Sequence, residues 1–297
     1  MKRLCDFGED PLVARLAGLL SGGPRVLVGP GDDCAVVAGE GRGRIGLLKT
    51  DCLVEGVHYL PDTPPRRVGR KAVARVLSDF AAMGGARDIN LLVTLALPPD
   101  RPVRWVEELY RGMDKLAVEF GALVVGGETS SVPSGAPAVI SVAASADSER
   151  NRLVLRDGAR TGDELLVTGR LGGSLAGRHL TFTPRLVEAD WLTSRFRLRA
   201  MMDLSDGLAM DLPRLARASQ CGFHLERDAL PRSRGATIEQ ALGDGEDYEL
   251  LFAVTARTRR QLVPAWEERF PKVKLTRIGS LDEEAGDQLT GGWDHFS

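Results

Sequence analysis

The chain has 297 residues, a length that suits two domains, and its 43% hydrophobic and 27% charged content is that of a globular protein with a buried core. The net charge of −2 gives no basis for bulk attraction to nucleic acid or to an anionic membrane. No apolar run approaches the roughly 20 residues that span a bilayer, and the opening MKRLCDFGEDPLV carries no signal-like stretch, so a cytoplasmic protein is expected.

Residues 7–20 read as a helix, with Asp10-Pro11 as its start and Leu12, Leu16, Leu19 and Leu20 on one face. Strands follow at 25–28, 34–38 and 45–50, joined by Gly-rich turns. A helix over 65–83 places Val68, Ala72, Val76 and Phe80 in register. INLLVTLAL at 89–97 is a buried strand, stopped by Pro98-Pro99. A helix over 104–120 and strands at 122–125 and 138–146 complete a first unit, residues 1–148. The second unit, 149–297, has strands at 164–168, 200–204, 248–255 and 273–279 and helices at 207–219 and 257–269. The pattern predicts two α/β-type (α+β) domains. Cys5, Cys34, Cys52 and Cys221 show no CxxC spacing, and His58, His179, His224 and His295 are scattered, so a structural zinc site is not expected and the thiols should be reduced.

Four loops share a pattern of apolar strand, small residue, then acid: GPGDD with Asp32 and Asp33, LLKTDCLVEGVH with Asp51, VVGGETSS with Glu128, and MMDLSDG with Asp203 and Asp206. A fifth acid, Asp79 in VLSDFAAMGG, interrupts an apolar helix. Each loop alone reads as a turn or a helix cap. Together they describe carboxylates that would repel one another on burial unless a hard divalent cation such as Mg²⁺ joined them to phosphate oxygens. One of Asp32 and Asp33 should then face inward. GG before Glu128 and GGSLAG at 172–177 could bring backbone N–H groups to phosphates, although flexible loops explain 172–177 equally well. DGEDYELLF at 244–252 is either a substrate or metal loop or a solvated turn, and Trp293 in GGWDHF could stack on a flat heterocycle or pack in a core.

In their order, GDDCAVV, KTDCLVEGVHY, LSDFAAMGG, GGETS, RDGARTGDELLVTG, DLSDGLAMDL, GEDYELLF and GGWDHF resemble the thiamine-monophosphate kinase family across nearly the whole chain. The resemblance implies the two-domain fold of the aminoimidazole ribonucleotide synthetase-like superfamily, with an N-terminal mixed sheet that dimerises and a C-terminal α/β domain. It implies transfer of the ATP γ-phosphoryl group to thiamine monophosphate, with several Mg²⁺ ions between the two phosphate chains. By motif, Asp33, Thr50, Asp51, Asp79, Glu128, Asp203 and Asp206 would hold Mg²⁺, with Lys49 adjoining. Gly127, Glu128, Arg156, Ser205 and Tyr110 would serve the nucleotide, and His58, Glu246 and Trp293 the thiamine phosphate. No general base is required, because the acceptor is already an anionic phosphate oxygen.

Three departures stand out. The family's GGDT is GGET here, the stretch 172–185 is short, and 230–245 is trimmed. Another ATP-using enzyme of the superfamily, or an inactive nucleotide-binding relative, are the alternative readings.

Overall fold

A proline at the first turn starts the helix that organises the molecule, where its fixed φ suits the helix and its missing N–H costs nothing. This is α2, Pro65–Ala82. From Val68 onward only Arg70 and Arg75 escape full burial, so the helix is enclosed on all sides rather than along one stripe. The computed structural model describes residues 3–284 and 287–296, and within them α2 packs against strands of both sheets.

The first sheet is built from β1 (Val26–Val28), β2 (Ala35–Ala38), β3 (Arg44–Val54), β4 (Arg87–Leu97), β5 (Ala122–Ser131) and β6 (Val139–Glu149), in the order β1-β2-β3-β6-β4-β5. Its neighbours run antiparallel except β4 and β5. Alternation along β3 and β4 sends Ile45, Leu47, Ile89, Leu91, Val93 and Leu95 into the core and leaves Leu48 and Leu92 on an outer face open to solvent. The inner face is covered by α2 and by α3 (Val103–Glu119). These helices meet where Gly69 faces Leu109 and Gly112 faces Arg66, and a methyl group on either glycine would overlap the opposing carbonyl.

The second sheet, β8-β10-β7-β11-β9, is wholly antiparallel. Its strands are β7 (Glu164–Thr168), β8 (Ala200–Asp203), β9 (Gly222–Leu225), β10 (Leu250–Val254) and β11 (Leu275–Asp282). Strands β8 and β10 are buried on both faces, which is why AMM and LLFAV read as unbroken apolar runs. One face meets a core shared with α2 and with α4 (Leu186–Arg195) and α7 (Ala256–Arg269), where Trp191, Trp266 and Phe270 cluster. The other face meets α5 (Leu208–Ala218) and α6 (Ile238–Gly243).

Several expectations shift. The first helix is α1, Glu9–Ala17, and none of its residues is buried, so its leucines make no core face. Strand β5 runs on through Gly126, Gly127 and Glu128, which had read as a loop. Elements α4, β9 and α6 carried no periodic signal long enough to find.

Candidate active site

Three of the predicted acids come together from three elements. Asp33 follows the GPG turn, Asp79 lies on α2 and Asp203 ends β8, and one oxygen from each lies within 4.8 Å of the others. All three side chains are buried. Burial pushes the Asp79 carboxyl well above the usual range against the opposing charge of Lys49, and burial with Asp33 nearby pushes Asp203 up to about 7. Lys49 on β3 binds Asp79 at 2.6 Å, Arg156 pairs with Asp33, and the Ser78 hydroxyl donates to Asp203.

Of the adjacent acids at the opening turn, Asp33 faces inward. Asp32 closes the loop, accepting from the backbone N–H of Arg156 at 3.0 Å and of Asp33 at 2.9 Å. Burial and the Asp33 charge raise its carboxyl to about 6. Asp51 shares the inner face of β3 with Lys49 and lies 3.5 Å from Arg75. The side chain of Thr50 points to the opposite, outer face, 3.4 Å from Ser141.

A cavity of about 500 Å³ adjoins this cluster, and His58, Arg75, Ser205, Asp206, Glu246 and Trp293 are among its lining residues. Asp206 pairs with Arg214, and its backbone carbonyl accepts from the N–H of Trp293, which seats the terminal GGWDHF segment on the β8–α5 loop. Burial and the neighbouring Arg75 lower His58 to about 4, and its Nδ1 accepts from the Val54 N–H at 3.0 Å, so the ring is neutral. Burial opposes ionisation of Glu246, but hydrogen bonds and charge from His179 and Lys71 outweigh it and hold the carboxyl at about 2.

GEDYE is no solvated turn. Asp247 is buried against Arg178 and the Gly172 N–H, and Glu249 accepts from Arg185 and Thr168, so both acids serve the fold while Glu246 serves the cavity.

Four predicted residues lie apart from this convergence: Thr50, whose outward side chain cannot join the inner-face carboxylates, and three others. Glu128 is exposed on β5, opposite Thr94 of β4. Gly127 packs so closely on β4 that a Cβ would overlap the Val93 carbonyl, which gives that glycine a structural role. Tyr110 is half-buried on α3 and packs against the core. Sequence reasoning missed Lys71, Arg75, His179 and His295. Lys71 and Arg75 fall between the apolar positions of the helix over 65–83, where a cation carries no local sign of its own burial. His295 stood inside a motif noted only for its tryptophan, yet its ring lies 5.4 Å from that of His58.

Two stacked α+β units joined by one enclosed helix, with buried carboxylates beside a cavity, define the class. Residues 31–146 match the AIR synthase related protein N-terminal domain, and 174–292 match its C-terminal domain. Thiamine-monophosphate kinases of Rhodopirellula baltica and Salmonella typhimurium are each 35% identical to the chain, covering 94% and 98% of it and 90% and 98% of their own lengths. A solved structure of AaThiL complexed with AMPPCP and TMP superposes with a TM-score of 0.84 at 32% identity, over 99% of each chain. The chain belongs to the thiamine-monophosphate kinase family.

Proposed function

We propose that the protein transfers the γ-phosphoryl group of ATP directly to thiamine monophosphate, giving thiamine diphosphate and ADP. The observation that carries this reading is the continuity between the carboxylate cluster and the cavity: Asp203 faces the cluster while Ser205 and Asp206, two and three residues on, line the cavity.

The donor set fits Mg²⁺. Three buried carboxylates, of which Asp79 and Asp203 have raised proton affinity, are hard oxygen ligands whose repulsion a divalent cation relieves. Asp33, Asp79 and Asp203 would hold the metal, with Asp51 and Asp206 beside them. Bound there, Mg²⁺ neutralises charge on the crowded phosphates. Lys49 and Arg156 keep the carboxylates aimed. The neutral His58, the ionised Glu246 and the half-exposed Trp293 offer an acceptor, a charge and an aromatic face to the thiamine half of the acceptor. With no side chain needed as base, transfer is in line and leaves no phosphoenzyme. Of the residues assigned to the nucleotide, Arg156 at the cluster and Ser205 at the cavity would contact it, whereas Gly127, Glu128 and Tyr110 lie apart from both within the single chain.

The domains divide near 148/149: the first sheet ends at Glu149 and the second starts at Glu164. A homodimer is supported by the outer face of the first sheet, where Leu48, Leu92, Leu123 and Val125 are each 44–59% exposed. Cytoplasmic residence agrees with the absence of any described helix long and apolar enough to cross a membrane.

The test is ADP release from ATP with thiamine monophosphate, with and without chelator. Turnover that requires both the acceptor and free Mg²⁺ supports the reading. ATP binding without turnover on any thiamine derivative overturns it in favour of an inactive relative, and turnover only on another acceptor favours a different kinase of this fold.

A further inference from the structure

Lys71 is fully buried, and its ammonium joins three separate segments of the chain. Nζ donates to the His58 carbonyl oxygen at 2.6 Å and to the Glu246 carboxylate, and lies 2.8 Å from Nδ1 of His179. His58 lies in the loop between β3 and α2, His179 in the short turn Arg178–Leu180, and Glu246 just before β10. All three line the cavity, while Lys71 stands behind them on α2. An ammonium has three protons and no lone pair, so the His58 carbonyl and the Glu246 carboxylate are its acceptors, while Nδ1 of His179 donates to the same Glu246 oxygen at 2.8 Å. Desolvating it is costly, and burial lowers its proton affinity to about 8. A packed apolar residue would hold three segments together without that cost; what a lysine adds is direction.

Two further features show that the direction is set. Glu246 is held at φ +51 and Tyr248 at φ +50, both in the left-handed region that these residues rarely adopt. Lys71 and His179 both engage Oε2 of Glu246, while Oε1 has only the distant Tyr248 hydroxyl at 3.5 Å. Oε1 is therefore the acceptor left to a ligand.

We propose that Lys71 is a positioning residue for the phosphate acceptor: it locks Glu246 and the His58 loop, one from each half of the molecule, into a single wall that reads the heterocyclic part of thiamine monophosphate. This rests on the function proposed above. Lys71 bonds to none of the clustered carboxylates and meets the cavity only through His58, His179 and Glu246, so its influence should fall on the acceptor and not on ATP.

The experiment compares the wild type with Lys71→Met, Glu246→Gln and the double variant, measuring KM for each substrate. Lys71→Met should raise KM for thiamine monophosphate about tenfold or more and leave KM for ATP within about twofold, and the double variant should be little worse than Glu246→Gln alone. Equal losses for both substrates, or an unchanged acceptor KM in a folded variant, overturn the proposal. If Lys71→Met does not fold, the wild type decides. The chain has only six lysines, so the ¹⁵N ammonium resonance of Lys71 can be followed directly. It should shift on adding thiamine monophosphate and stay in place with AMPPCP and Mg²⁺ alone; indifference to the acceptor overturns the assignment. Wild-type protein that neither binds nor phosphorylates thiamine monophosphate overturns the function itself, whereas normal wild-type activity with an indifferent Lys71 overturns only this inference.

Discussion

A carboxyl group whose proton affinity rises on folding makes the fold less stable as pH climbs. Asp203 is such a group: about 7 in the folded chain against 3.8 when exposed. Between those values the unfolded chain has already lost its proton while the folded chain holds one, so stability falls as pH rises through that window. Metal-free protein should therefore melt at a lower temperature at pH 8 than at pH 5.5 as far as this group is concerned. Mg²⁺ should raise the midpoint more at pH 8, and Asp203→Asn should remove most of that metal-dependent gain; thermal melts with and without EDTA check this. Glu128 is the opposite case. Its exposed side chain carries no fold, so Glu128→Asp should change stability by no more than about 0.5 kcal/mol in urea unfolding. A change in Mg²⁺-dependent rate in that variant then reports on ligand contact, and a gain means that the longer side chain is a compromise. The acids were legible because charge next to glycine at strand ends is a local signal. Lys71 was not, because a lysine in a helix looks the same whether it meets water or a buried carboxylate.

Among the elements, α2 and α3 depend on backbone approach at Gly69 and Gly112. Gly112→Ala would force the Arg66 carbonyl away and should cost about 1–3 kcal/mol, read as a lower urea midpoint with an unchanged slope. No loss would mean that the helices slide apart without strain. The long helices and the apolar strands could be read from periodicity and length. Strand β5 was cut short because Gly126 and Gly127 read as breakers, yet on this edge strand Gly127 lies against the Val93 backbone and Gly126 against the Leu92 side chain, positions that suit a residue without a side chain. Helix α1 shows the reverse failure: its apolar spacing is regular, but the residues stay exposed because its described contacts are polar, through Asp10 to Arg214 and Arg217.

For the whole molecule, the outer face of the first sheet carries exposed apolar side chains that a second copy would cover. Leu92→Asp lies at its centre and is 50% exposed in the single chain. It should leave the monomer folded and shift the species seen by light scattering from dimer to monomer; a variant that stays dimeric places the interface elsewhere. The two halves share one core, and the second half has a further cluster of its own between its sheet and α5 and α6. Residues from both sheets, together with α2, α4 and α7, form one cluster, so the boundary near 148/149 separates sheets more cleanly than it separates hydrophobic interiors.

Sequence alone determined the inventory: which segments alternate and which turns carry acids. Those are properties of neighbours in the chain, set by period, turn chemistry and charge. Tertiary structure decided which acids meet, since Asp33, Asp79 and Asp203 are separated by 46 and 124 positions and converge only because α2 lies buried between two sheets. It also decided that Asp247 and Glu249 brace the fold while Glu246 faces the cavity. In each case burial sets the energetic meaning of a charge, and burial belongs to the packing of distant segments.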